Sequence, residues 1–222
     1  MPQGKYPAVG GATRAFYIEV LQGALRIMQA APTDHLVIGG LATRSLFGMP
    51  LSTAEDIDVF IRPEDAEGLL DRFSREGYST YRRDEDWIYK AAKPDVTVDL
   101  IFRAGESIEL DAEHLARSTV SKLDGLPLRI PSREDLVVMK ALFDADDRQG
   151  RWYDAVSILR RFQVDWDYLA DRGMEFAPRR VLSLLMYATD LGIDVPARAM
   201  DRLMPAATTP DRRLDGAAGR YE

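Results

Sequence analysis

Two aspartates one residue apart, Asp56 and Asp58, are the side chains of this 222-residue sequence best suited to chemistry. Polar and apolar residues alternate strictly from Asp56 to Val59, and the apolar run continues through Phe60 and Ile61. Successive side chains of a strand point to opposite faces, so both carboxylates share one face and Ile57, Val59 and Ile61 share the other. Like charges this close repel. Mg²⁺ makes the arrangement favourable, because it binds through one or two carboxylates together with the phosphates of a substrate. A later strand pattern, Asp95 to Phe102, groups Val96, Val98, Leu100 and Phe102 on one face and leaves Asp99 as a lone acid on the other, between Thr97 and Ile101. With the two strands side by side, Asp56, Asp58 and Asp99 make a three-carboxylate site for two ions of Mg²⁺ or Mn²⁺.

A phosphate cradle is available upstream. Gly39-Gly40 follows the short apolar run His35 to Ile38 and precedes a helical segment, Leu41 to Phe47, ended by Gly48 and Pro50. Backbone N–H groups at a helix start bind anions, and glycines let phosphate approach closely. Lys140 is the other candidate. Lysine occurs only at 5, 90, 93, 122 and 140, and Lys140 interrupts the apolar run Leu136 to Phe143. Its ammonium calls for an anion, either a bound phosphate or Asp144 one turn on. Arg148 lies on the same stripe. Asp154 sits beside the apolar face of Trp152, Ala155, Val156 and Leu159, as a solvated helix acid or as part of a site.

The elements that position these residues follow from periodicity. A helix is expected over Ala12 to Ala30, a strand over His35 to Ile38, a strand over Asp56 to Ile61 and a helix over Glu64 to Arg75. Strands are expected over Tyr78 to Arg82, Trp87 to Ala91 and Asp95 to Phe102, and a hairpin over Thr119 to Ile130 turns at Asp124-Gly125. From Ser132 the pattern is helical, with segments Ser132 to Arg148, Trp152 to Phe162, Trp166 to Arg172, Pro178 to Leu191 and Pro196 to Leu203. The fold class is α/β (α+β), a mixed sheet with flanking helices followed by a helical C-terminal half. The expected domains are residues 1–131, 132–204 and a tail over 205–222 too poor in apolar residues to supply a core.

Composition narrows the classes. There is no cysteine, so thiolate metal sites, thiol nucleophiles and disulfides are excluded. His35 and His114 have no partner at zinc spacing. No segment approaches the about 20 apolar residues needed to span a bilayer, and no secretory leader is evident, so a cytoplasmic protein without membrane partners is expected. The net charge of −7 argues against a surface built to grip long nucleic acid.

The order of strand, Gly-Gly, helix, Asp-x-Asp strand and later single-acid strand resembles the nucleotidyltransferase superfamily that includes polymerase beta. The stretch from His35 to about Arg161 is similar to the minimal nucleotidyltransferases of the abortive-infection and type IV toxin–antitoxin group. These show a Gly-Gly or Gly-Ser motif, an Asp-x-Asp motif, a helical lysine and a later aspartate, here Gly39 and Gly40, Asp56 and Asp58, Lys140, and Asp154. The resemblance implies Mg²⁺-dependent attack of an acceptor hydroxyl on a nucleoside triphosphate, with pyrophosphate released. In it Asp56, Asp58 and Asp99 are the catalytic and metal residues, and Gly39, Gly40, Lys140, Arg148 and Asp154 hold the nucleotide and its phosphates. It implies tRNA, a protein or a small molecule as acceptor, and a cognate antitoxin as a partner. The alternative class is a non-catalytic protein that keeps the fold to bind nucleotide or a partner.

Overall fold

Thr13 opens the first helix, α1 (Arg14–Gln29), its side chain accepting from the Phe16 N–H at 3.3 Å as an N-cap. The structure, a computed structural model, describes residues 11–105, 108–142 and 150–208. Among these the chain forms two compact units that divide between Ser132 and Arg133.

The first unit is a five-stranded mixed sheet with helices. After α1 come β1 (His35–Val37), α2 (Gly39–Phe47) and β2 (Ile57–Ile61). Next are a single 3₁₀ turn at Pro63–Asp65, α3 (Ala66–Arg75), β3 (Ser79–Asp84), β4 (Ile88–Lys93) and β5 (Val96–Ile101). The strand order is β1-β2-β5-β4-β3, with β2 and β5 parallel and every other pair antiparallel. This is the expected mixed α/β class.

The sheet buries both faces. Ile57, Val59, Phe60 and Ile61 are each at most 1% exposed, which removes β2 from solvent along its length. Helices α1 and α3 pack on the face carrying Leu100 and Tyr89, whose hydroxyl donates to Glu67 of α3 at 3.0 Å. The opposite face carries Asp58, Asp99 and Lys90. It is closed at Phe60 by the edge of the His114 ring, 5.5 Å between centroids. His114 belongs to α4 (Ala112–Arg117), a helix the periodicity does not announce because it spans six residues; a capping box between Asp111 and His114 starts it. Thus His114 is buried and structural.

The hairpin β6 (Thr119–Leu123) and β7 (Leu126–Ile130) turns where expected, with φ of 50° at Asp124 and 83° at Gly125. Asp124 also reaches outward. Its carboxylate accepts from Arg14 at 2.7 Å and from the Leu51 N–H at 3.1 Å, tying α1 and the loop before β2 to the turn. The Arg14 guanidinium and the Leu51 N–H hold its carboxyl below the usual range.

The second unit is helical, with α5 (Arg133–Leu142), α6 (Gly150–Arg161), α7 (Trp166–Phe176), α8 (Pro178–Asp190) and α9 (Ala197–Thr208). Its interior holds an ionic network. Asp135 accepts from Tyr168 at 3.1 Å and from Arg172 at 3.2 Å, and Arg172 also donates to Glu175 at 2.8 Å. Two helix ends run past expectation, α7 to Phe176 rather than Arg172 and α9 to Thr208 rather than Leu203. Helix α9 runs on through Pro205 to Thr208, because a proline in the last turn gives up one hydrogen bond without ending a helix whose apolar face is already packed. The remaining expected tail and the segment 143–149, with Asp144 and Arg148, lie outside the described residues. No helix among the described residues is long and apolar enough to cross a membrane.

Candidate functional site

Register places the acids of the first unit. Asp58 on β2 is the Cα partner of Asp99 on β5, and Asp99 is the Cα partner of Lys90 on β4, so the three stand in a row across one face of the sheet. Asp56 precedes β2 by one residue, so the strand starts one residue later than expected. Asp56 and Asp58 are half-buried, and Asp99 is 5% exposed. Lys90 Nζ donates to both oxygens of Asp99, at 2.8 and 2.7 Å.

The glycines press on the carboxylates. Gly39 begins α2 at φ +64°, and a Cβ there would overlap the Asp58 carboxylate, standing 2.8 Å from its Cγ. Only glycine satisfies both conditions. At Gly40 a Cβ would come within 2.5 Å of Glu55 Cδ, so a serine there would require the Glu55 side chain to move aside. Glu55 thus lies against the first turn of α2, where the helix dipole favours an anion, and its other oxygen accepts from Arg44 Nε at 3.3 Å. The backbone joins in, because the Ile38 N–H donates to the Asp58 carbonyl at 3.0 Å and carries the β1–β2 pairing up to the glycines.

Tyr17 of α1 supports the same loop from below. Its hydroxyl donates to the Glu55 carbonyl at 2.9 Å. Burial, then the nearby charges of Asp58, Glu55 and Asp56, push its phenol far above the usual range, so it remains a donor. That three acids act on one hydroxyl shows how much negative charge converges here.

Periodicity does not identify Lys90, Glu55 or Tyr17 as site residues. Lys90 carries a signal, being one of few lysines and lying in an alternating strand, but its partner depends on strand register. Glu55 is marked only by adjoining Asp56. Tyr17 has the helical spacing of an ordinary core residue.

Asp56 and Asp58 offer hard oxygen ligands of the kind that suit Mg²⁺, which needs only one or two carboxylates besides substrate phosphates, whereas both Asp99 oxygens accept from Lys90. Among the described residues no three His, Cys, Asp or Glu side chains are placed to hold one metal ion together.

In the second unit Lys140 on α5 donates to Asp154 on α6 at 2.7 Å. The lysine side chain is 9% exposed and the aspartate 36%. Two residues singled out separately in the sequence therefore form one ion pair. The loss of each should differ in cost. Lys140→Met leaves Asp154 partly solvated and should cost about 1 kcal/mol, whereas Asp154→Ala leaves a buried ammonium without this carboxylate and should cost about 2 kcal/mol. The double variant should lose little more than Lys140→Met, a coupling that urea unfolding of all three proteins would reveal.

A family model described as an uncharacterised nucleotidyltransferase matches residues 14–191. The chain belongs to this nucleotidyltransferase family. The expected kinship with polymerase-beta-like nucleotidyltransferases is thereby met. Among curated proteins, none matches in sequence. The solution structure of the antibiotic-resistance factor ANT(2'')-Ia is similar in fold, with a TM-score of 0.50 and 17% identity, covering 87% of this chain and 92% of that one. An antigenic nucleotidyltransferase-like protein from Paracoccidioides brasiliensis aligns with a TM-score of 0.49 and 14% identity, over 89% of this chain and 95% of that one. The lincosamide antibiotic adenylyltransferase LnuA, bound to lincomycin, aligns with a TM-score of 0.49 and 10% identity, over 67% and 98%.

Proposed function

We propose that this nucleotidyltransferase moves a nucleotide from a nucleoside triphosphate to an acceptor hydroxyl, with a divalent metal held by Asp56 and Asp58. The observation that carries the reading is the contact of the Gly39 backbone with the Asp58 carboxylate, which brings a helix N-terminus against the acid strand. A triphosphate lying on the N–H groups of Gly39 and Gly40 would have its α-phosphate beside Asp58. The acceptor oxygen bonds to the α-phosphorus, the bond from that phosphorus to the β-phosphate oxygen breaks, and pyrophosphate leaves. Bound Mg²⁺ would supply charge neutralisation at the phosphate oxygens. Asp99, on the neighbouring strand, stands on the acceptor side and takes the hydroxyl proton or directs it to solvent. Glu55, against Gly40, repels a triphosphate that arrives without a cation.

The acceptor is a small-molecule hydroxyl, a protein hydroxyl or tRNA, and a toxin role with a cognate antitoxin belongs to the last two. The acidic net charge favours the smaller acceptors.

One observation favours a non-catalytic nucleotide binder instead: Lys90 already satisfies Asp99. Pyrophosphate release separates the two. Purified protein, Mg²⁺ and each nucleoside triphosphate in turn are incubated with tRNA, with cell extract protein or with aminoglycosides. Release that depends on both metal and one acceptor class is expected. Nucleotide binding without release under every condition would establish the binder.

A further inference from the structure

The row Asp58, Asp99, Lys90 contains a cation of the protein's own. Lys90 lies on β4, directly across from Asp99, and its Nζ takes hydrogen bonds to both carboxylate oxygens at 2.8 and 2.7 Å. Asp99 is 5% exposed and the lysine side chain 20%, so the pair is weakly screened and stronger than a surface ion pair. The ammonium occupies the place a divalent ion would take on Asp99.

We propose that Lys90 is a fixed cation standing in for the second metal ion, so that this protein holds one divalent ion, through Asp56 and Asp58, and positions Asp99 with its own ammonium. The proposal rests on the metal-dependent reading above and goes beyond it in the number of ions and in the role of Lys90. A lysine here also fixes the carboxylate without the substrate. Asp99 is then oriented before any nucleotide arrives, whereas a carboxylate that waits for a second ion is not.

Binding of Mn²⁺ alone, counted by the loss of the free-ion electron paramagnetic resonance signal, tests it. The wild-type protein should bind one Mn²⁺ per chain, abolished by Asp58→Asn. Lys90→Met should bind a second, with a Kd lower by about tenfold or more than any second ion on the wild type, because the buried Asp99 carboxylate attracts a cation more strongly once the ammonium is gone. Its melting temperature should fall without metal and recover with Mn²⁺ by more than the wild type gains. Lys90→Arg keeps the charge and should keep the count at one, so the count on the wild type and on this variant decides the matter even if Lys90→Met does not fold. Two Mn²⁺ of equal affinity on the wild type would overturn the proposal and leave the metal-dependent reading standing. Bound Mn²⁺ indifferent to Asp58→Asn, or no Mn²⁺ held by the protein even with a nucleoside triphosphate present, would overturn that reading and this proposal with it.

Discussion

Asp58→Asn is expected to lower the rate of nucleotide transfer by about three powers of ten or more while leaving the metal-free melting temperature unchanged or raised. The activity loss follows from the proposed role. A metal ligand that helps neutralise developing charge is worth several kcal/mol in the transition state, and each 1.36 kcal/mol is about a factor of ten. The stability result follows from the crowding of charge. Asp58, Glu55 and Asp56 all act on the buried Tyr17 hydroxyl, so removing one negative charge from that group relieves repulsion while Asn keeps the size that fits against Gly39. Asp99→Asn provides the contrast, because it should lower activity too but also cost about 2 kcal/mol, having replaced the charged partner of Lys90. Initial rates of pyrophosphate release and thermal melting of the two variants side by side check both. If Asp58→Asn kept full activity, the site would lie elsewhere.

The opposite stability of these two substitutions marks what the sequence could and could not reveal. Alternation along Asp56 to Ile61 and Val96 to Ile101 is a local property, set by the pleat, and it places Asp58 and Asp99 each on a defined face. The hairpin at Asp124-Gly125 is local as well, since the turn needs residues that accept positive φ. The face a residue occupies does not reveal its neighbour. That β4 lies on the far side of β5, and that Lys90 rather than Lys93 stands opposite Asp99, is decided by register over the whole sheet, which follows from burial of both faces. Lys140 shows the same limit in a helix. Spacing along α5 offers Asp144 one turn on, which lies outside the described residues, and it gives no hint of the carboxylate of α6, fourteen residues away in sequence, that helix packing brings to Lys140. Asp56 falls just outside β2 because a strand ends where its pairing does, and the pattern of polar residues carries no information on that.

Gly39→Ala should be the most damaging single-methyl change in the first unit, costing about 3 kcal/mol and reducing transfer about as far as Asp58→Asn does. Two separate penalties combine. An alanine at φ +64° pays about 1–2 kcal/mol for the left-handed conformation alone. Its Cβ would then overlap the carboxylate of Asp58, whose backbone is fixed on a central strand in register with Asp99. The carboxylate must leave its rotamer or α2 must shift off the strand, and either movement opens the cradle as well as the acid row. Gly48 supplies the control within the same helix. It caps the C-terminus of α2 at φ +65°, nearly the same backbone conformation, yet a Cβ there meets nothing within 4 Å. Gly48→Ala should therefore cost only the conformational strain, about 1 kcal/mol, and leave transfer intact. Urea unfolding and initial rates on the two variants separate strain from overlap. Equal losses of stability with unchanged activity in both would mean that Gly39 serves the turn alone and that the close approach of backbone to Asp58 plays no part in the site.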